Sequence, residues 1–341
     1  MKLSVLFLLL LSFNISAIAT ETKSAKLWLE RLSQSLRQLN FTASFVVVKN
    51  NHAEPYHWLH GIADNGQELE VLTRLNGPRH DVLRQGEVVS YIEPEQEAYS
   101  IRTDYIRGPI PSVFRGDIKA LETSYRFISV GRSRISGRIA QLVRIVAKDK
   151  HRFSYWLWLD QKTGLLLKMA VLTRQGNLLE QIQFTHIEVA DQLSDNLAQL
   201  QSAELPEVVS LAYQQQHKDL SWQVDWLPQG FAVVKSNQHN LNTYNRGEDR
   251  AVEFMLFSDG LVEVSVYVNL SQEQFREPEY AIDGATIVYN HILQGIEVGV
   301  VGKIPLATAK KIAESIMPNV DKTKKNNLPS TPNPVIERQD D

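Results

Sequence analysis

From Phe41 to Val189 the chain runs through short apolar and β-branched segments spaced about ten residues apart, and this pattern limits the fold more than any other feature. Phe41–Val48, Tyr56–Ile62, Glu68–Leu75, Asp81–Leu83 and Val88–Ile92 read as strands, followed by Tyr125–Val130, Ile139–Ala147, Phe153–Leu159, Leu165–Leu172 and Leu178–Val189. Between them stand turn residues: Asp64-Asn65-Gly66, Asn76-Gly77-Pro78, Gln85-Gly86, Lys162-Thr163-Gly164 and Gln175-Gly176-Asn177. Connections this short join antiparallel neighbours, because a parallel crossover needs a dozen residues or more. The expected fold class is therefore mostly β (α+β), with one large antiparallel sheet and helices only at its edges.

One helix precedes the strands. Ala25, Trp28, Leu29, Leu32, Leu36 and Leu39 recur at three- and four-residue steps and make a single apolar stripe across Ser24–Leu39. A second helix has room only at Gly108–Leu121, where Pro109 and Pro111 set the entry. The strand around Trp156 is apolar on both faces, with Trp156 and Trp158 on one side and Tyr155 and Leu157 on the other. One face can close a core while the other lines a cavity. From Ala190 to Lys218 strand character fades, and Gln214–Lys218 reads as linker. A second unit begins near Leu220, with strands at Ala232–Ser236, Ala251–Phe257, Leu261–Val268, Ala285–Leu293 and Ile296–Gly302. Pro305 then opens a helix whose stripe is Leu306, Ala309, Ile312, Ala313 and Ile316. The expected division is a large domain at 20–200, a linker at 201–218, a smaller α+β domain at 219–318 and a polar, disordered tail at 319–341.

Residues 1–19 read as an export signal: Lys2, an apolar run from Leu3 to Leu11, then Ala17-Ile18-Ala19 before the cut. The run is shorter than the roughly 20 residues a spanning helix needs. With no cysteine, the exported chain has neither a disulfide nor the acylation site of a lipoprotein, so it is expected soluble. Hydrophobic residues at 43% are enough for real cores, while 22% charged residues and a net charge of −3 argue against a nucleic-acid partner. Charge is uneven. Arg102–Arg152 holds nine Arg and three Lys against three Asp and one Glu, a surplus that suits acidic partners or phosphate-bearing lipid.

Catalytic patterns are missing. There is no phosphate-cradling glycine loop, no nucleophile elbow and no paired-histidine zinc helix. Of nine histidines only His52, His57 and His60 lie close in sequence, and His57 and His60 point to opposite faces of one strand. The expectation is a binding protein and not an enzyme, with no cofactor and no metal.

Several segments of the first half stand out together: Phe41-Thr42-Ala43-Ser44-Phe45-Val46, Trp58-Leu59-His60-Gly61, Leu72–Arg79 and Val82-Leu83-Arg84. In the second half they are joined by Trp222–Phe231, Val300–Pro305 and Thr308–Ala313. In this order and at these intervals they resemble the RseB/MucB family of periplasmic regulators of the envelope-stress sigma factor. The resemblance implies that the large domain is a LolA/LolB-like curved antiparallel half-barrel over helices, with an apolar, lipid-sensing cavity. It implies that the smaller domain binds the periplasmic part of an inner-membrane anti-sigma factor, of the RseA or MucA type. Binding there shields that factor from the site-1 protease DegS, and lipid or lipopolysaccharide releases it. Thr42-Ala43-Ser44 departs from the family's usual Gly-Thr step. A lipoprotein carrier of the LolA type is the alternative, and a hydrolase of envelope polymers a distant third. A homo-oligomer is left open.

Candidate residues follow. For the apolar cavity they are Phe45, Val47, Trp58, Trp156 and Trp158; for phosphate or acidic contacts, Arg102, Arg107, Arg115, Arg132 and Arg134, since Arg forks suit such oxygens. For the partner face they are Trp222, Trp226, Phe231, Phe254 and Tyr267, aromatics of the kind that anchor interfaces.

Overall fold

A computed structural model describes residues 22, 24–209, 220–241 and 250–319. The stretches expected to be export signal (1–19), linker (214–218) and tail (beyond residue 319) lie outside the described residues. Helix α1 (24–38) is followed by strands β1 (Asn40–Lys49), β2 (His52–Ile62), β3 (Glu68–Arg74), β4 (His80–Gln85), β5 (Val88–Ile92) and β6 (Tyr99–Arg102). After two 3-10 turns, Ser112–Arg115 and Ile118–Thr123, come β7 (Tyr125–Ile135), β8 (Arg138–Ala147), β9 (Ser154–Asp160), β10 (Leu166–Leu172) and β11 (Leu178–Ala190). All eleven strands form one antiparallel sheet in the order β6-β5-β4-β3-β2-β1-β11-β10-β9-β8-β7, so every hairpin stays local and only β1–β11 closes over a long distance.

Helix α1 fills the inner face. Ala25, Leu29, Leu32 and Leu36 are buried against Phe45, Tyr155, Leu157 and Phe184 from the strands. Helix α2 (Asp195–Gln201) covers part of the outer face, where Leu197 and Leu200 pack on Leu59, Leu69, Val71 and Leu83. It escapes sequence periodicity because seven residues with two buried leucines make barely two turns. The Gly108–Leu121 interruption forms the two 3-10 turns and no α-helix.

Past β12 (Trp222–Val224), β13 (Ala232–Leu241), β14 (Arg250–Ser258), β15 (Glu263–Leu270), β16 (Phe275–Asp283), β17 (Thr286–Leu293) and β18 (Ile296–Gly302) comes α3 (Leu306–Glu314), then β19 (Ile316–Pro318). Six strands form a second sheet, β13-β14-β15-β18-β17-β16, and β12 pairs with β19. Helix α3 buries Ala309, Ile312 and Ala313, but Ile316, expected on its stripe, has passed into β19. Strand β16 is hidden in the sequence by Pro278 and its charges. It is an edge strand with a register shift between Arg276 and Glu279, which is where a residue without an N–H is tolerated.

Candidate functional site

The two sheets meet at two junctions, and a cleft of about 520 Å³ lies between them. Tyr155 and Met169 of the large sheet form part of its floor, Leu261, Val262 and Val301 part of the opposite wall, and the segment Tyr105–Ser112 runs along its rim. Burial pushes the Tyr155 hydroxyl far above its usual range, with Asp259 and Glu180 adding to it, so it enters the cleft as a neutral phenol. Arg107 and Lys303 are the cations at this cleft, with Glu263 nearby. Partial desolvation works against the Arg107 charge, but Tyr105 and Glu263 outweigh it.

The first junction is buried. Arg152 Nε donates to Asp259 Oδ2 at 2.6 Å, both side chains having no solvent exposure. Tyr125 donates its hydroxyl to the same oxygen at 2.9 Å, while Asp259 Oδ1 accepts from the N–H groups of Leu261 and Val262. Arg152 also donates to Asp149 and to the Gln229 carbonyl, and its guanidinium lies 4.9 Å from the Phe231 ring centre. The second junction is partly open to water, with Glu180 its one buried member. Lys49 pairs with Asp283 at 2.5 Å, Asn50 donates to Asp283 at 3.1 Å, and Lys303 pairs with Glu180 at 2.6 Å.

Inside the large sheet the apolar space is small. A cavity of about 30 Å³ is lined by Leu36, Phe45, Trp58, Leu72, Ile106 and Ile110, room for a water or two. Its polar wall is a buried row of charges. His60, Glu70 and Arg84 stand side by side on β2, β3 and β4, and Arg115 reaches them from the 3-10 turn. Glu70 accepts from Trp58 Nε1 at 3.0 Å, Arg84 at 2.8 Å and Arg115 at 2.7 Å. Glu68 accepts from His60 and Arg84 and also pairs with Arg115. Burial alone would raise the Glu68 carboxyl, but the His60 hydrogen bond and the Arg115 and Arg84 charges hold it down at about 2. Burial likewise opposes the Glu70 charge, and Arg115 and His60 overcome it.

The expected residues divide accordingly. Phe45 and Trp58 line the small cavity, while Val47 is buried in the core beside them. Trp156 and Trp158 do not reach it. Tyr155 and Leu157 take the inner side of β9, so the tryptophans face outward, under Arg144 and Lys168 at 4.7 and 5.2 Å. Arg115 is not free for a phosphate, because two carboxylates already hold its guanidinium. Arg107 stands at the cleft, whereas Arg102, Arg132 and Arg134 are exposed away from it. Trp226 packs on His151 of the β8–β9 loop with Lys311 over its ring at 3.8 Å, and Phe231 lies under Arg152. Both pack at the junction. Trp222 is half-buried on the β12–β19 pair. Phe254 and Tyr267 pair at 5.1 Å on the small sheet, with Tyr267 exposed. The Arg152–Asp259 pair gave no sequence signal, since nothing local links residues 107 positions apart.

Residues 24–209 match the MucB/RseB N-terminal domain and residues 216–317 the MucB/RseB C-terminal domain. The sigma-E factor regulatory protein RseB of Escherichia coli K12 is 34% identical over 305 residues, which cover 89% of this chain and 94% of that protein. The sigma factor AlgU regulatory protein MucB of Pseudomonas aeruginosa is 30% identical, covering 91% and 96%. Among solved structures, the Pseudomonas aeruginosa MucA/MucB complex contains a chain with a TM-score of 0.71 and 29% identity, over 86% of this chain and 99% of that one. A crystal structure of MucB gives 0.58 and 27%, over 87% and 98%. With both halves matched in order and the two-sheet architecture shared, this chain belongs to the MucB/RseB family.

Proposed function

We propose that this chain is an exported, periplasmic regulator that binds the periplasmic segment of an RseA- or MucA-type anti-sigma factor. Bound there, it shields that factor from site-1 proteolysis and so represses the sigma-E response. The observation that carries this reading is the likeness, over both sheets, to MucB solved together with MucA. The two-domain division near residues 201–218 belongs to the same reading, supported by the change of sheet between Ala190 and Trp222.

The regulator needs coupled surfaces. A guest shifts a domain arrangement only if it binds one arrangement better than another. The 30 Å³ cavity is too small for an acyl chain, so a lipid guest belongs in the 520 Å³ cleft, whose walls come from both sheets. Occupancy there presses directly on the relative position of the two. Arg107 and Lys303 at that cleft supply positive charge for an acidic head group. The test is a cleavage assay with purified anti-sigma segment and its site-1 protease. The mature chain should slow cleavage, and a lipid that binds the cleft should restore it. Equal cleavage rates with and without the chain would remove shielding from the account.

A further inference from the structure

The outer face of the large sheet is not uniform. Over β2–β4 it is covered by α2. Over β7–β11 and β1 no described helix covers it, and the β7–β8 turn reaches only β11, through Ser136 and Arg138, yet its side chains are those of a covered face. One cross-strand row reads Ile128, Arg144, Trp156, Ala170, Gln181 and Val48; the next reads Leu142, Trp158, Lys168, Gln183 and Val46. Arg126 and Val146 pair beside them on the same face. Antiparallel sheets with one wet face ordinarily alternate apolar inward and polar outward. Here the outward positions carry two tryptophans and a series of aliphatic residues. Within these two rows and the Arg126–Val146 pair the charges are positive, at Arg126, Arg144 and Lys168; farther along the same face stand Asp160, paired with Arg138, and Glu188, opposite Thr42. The six strands span about 24 Å, wide enough for a helix of about 10 Å diameter to lie across them.

From this juxtaposition we infer that the outer face over β7–β11 and β1 is a docking surface for an amphipathic helix of the partner protein. Its apolar stripe would lie on Trp156, Trp158, Leu142 and Val46, and its flanking carboxylates would face Arg126, Arg144 and Lys168. Two observations select this occupant. The same outer layer already accepts a helix, α2, at Leu59 and Val71. The charge beside the tryptophans is positive, so a helix with acidic flanks is attracted there and a basic one is repelled. Arg144 and Lys168 already lie against the tryptophan rings, which places the positive charge beside the apolar surface. This assignment rests on the anti-sigma reading above in taking that factor's periplasmic segment as the partner.

The test uses the mature full chain, the Arg144→Glu/Lys168→Glu variant and the purified periplasmic segment, titrated at low and moderate salt. The expected result is at least tenfold weaker binding by the variant, with a shallower salt dependence, while Arg144→Lys/Lys168→Arg keeps its affinity. Hydroxyl-radical footprinting of the unmodified complex gives a readout independent of any variant: oxidation of Trp156 and Trp158 should fall when the segment is added. Wild-type binding that the charge reversal leaves unchanged, with unchanged footprints, overturns the surface and spares the parent reading. No binding by the wild type removes both. Two results reassign the face and overturn the proposal. One is charge-dependent flotation with phosphatidylglycerol vesicles while segment binding stays intact, which gives it to a bilayer. The other is increased Trp156 and Trp158 oxidation after deletion of residues 320–341, which gives it to the chain's own tail.

Discussion

The two junctions that hold the sheets together use the same chemistry in opposite surroundings. Arg152–Asp259 has no exposed side-chain surface, whereas Lys49 and Asp283 are 30% and 57% exposed. In the first, every polar atom of Asp259 is engaged and aromatic rings from both sides close over the cation. A buried ion pair is tolerable only under such complete satisfaction, because desolvation otherwise exceeds the attraction. In the second, water competes for Lys49, Asp283 and Lys303, and only Glu180 is buried. The comparison teaches where movement belongs. The buried junction fixes one end of the cleft, and at the other the Lys49–Asp283 contact is the one that can part at little cost.

The largest expected effect comes from breaking the buried junction. Arg152→Ala leaves Asp259 charged and partly unpaired in a dry site, which costs about 3–5 kcal/mol. Urea denaturation at neutral pH measures it, and the single transition should split as the sheets uncouple. Asp259→Asn should cost less, since a carbonyl oxygen can still accept the Leu261 and Val262 N–H groups. Comparable losses for Arg152→Ala and for a Lys49 variant would break the distinction drawn between the two junctions.

The charge row beneath the small cavity lies between these extremes. Glu68 has a carboxyl pKa of about 2 in the fold and about 4.5 when unfolded. The folded value is depressed, so its contribution is fully present above about pH 4.5 and is lost as pH falls through about 2. Over that window the unfolded chain takes up the proton first, and the loss approaches about 3 kcal/mol. Glu68→Gln should flatten the acid limb of the stability curve, measured by denaturation at stepwise lower pH. At the buried junction, Gly230 sits at φ +90°, and a Cβ there would approach Ser124 Oγ to 2.3 Å. Gly230→Ala is expected to cost about 1–3 kcal/mol, from a strained backbone and a displaced Ser124.

Much of the fold was legible because hairpin turns and strand alternation are local. Lys162-Thr163-Gly164 and Gln175-Gly176-Asn177 name their own antiparallel partners, and β9–β10 and β10–β11 pair accordingly. The site was less legible because sites are made of distant residues. Periodicity told that Trp156 and Tyr155 face apart, but not which side the sheet curls towards, so the tryptophans were placed in a cavity they do not reach. Arg115 looked like a free cation because Glu68 and Glu70 meet it only through the 3-10 turn. That Trp226 and Phe231 pack on His151 and Arg152 is invisible in the sequence, because those neighbours lie far away on the β8–β9 loop.

The smallest effect is expected at the wet junction, and it sharpens the comparison most. Lys49→Ala removes the pair with Asp283, worth below about 1 kcal/mol at such exposure. Thermal stability should barely change. The position of the sheets should change more, because the Asp283–Gly284 turn rests directly on Lys49: a Cβ on Gly284 would lie 3.0 Å from Lys49 Cβ. Spin labels at Gln175 and Glu279, away from both junctions, would report the interdomain distance. A broader distribution for Lys49→Ala than for the wild type, with an unchanged melting temperature, is the expected result. The same broadening should follow from raising salt on the wild type, since screening weakens exposed pairs and leaves the buried one intact. A distribution that stays narrow under both treatments would mean that the buried junction alone sets the arrangement.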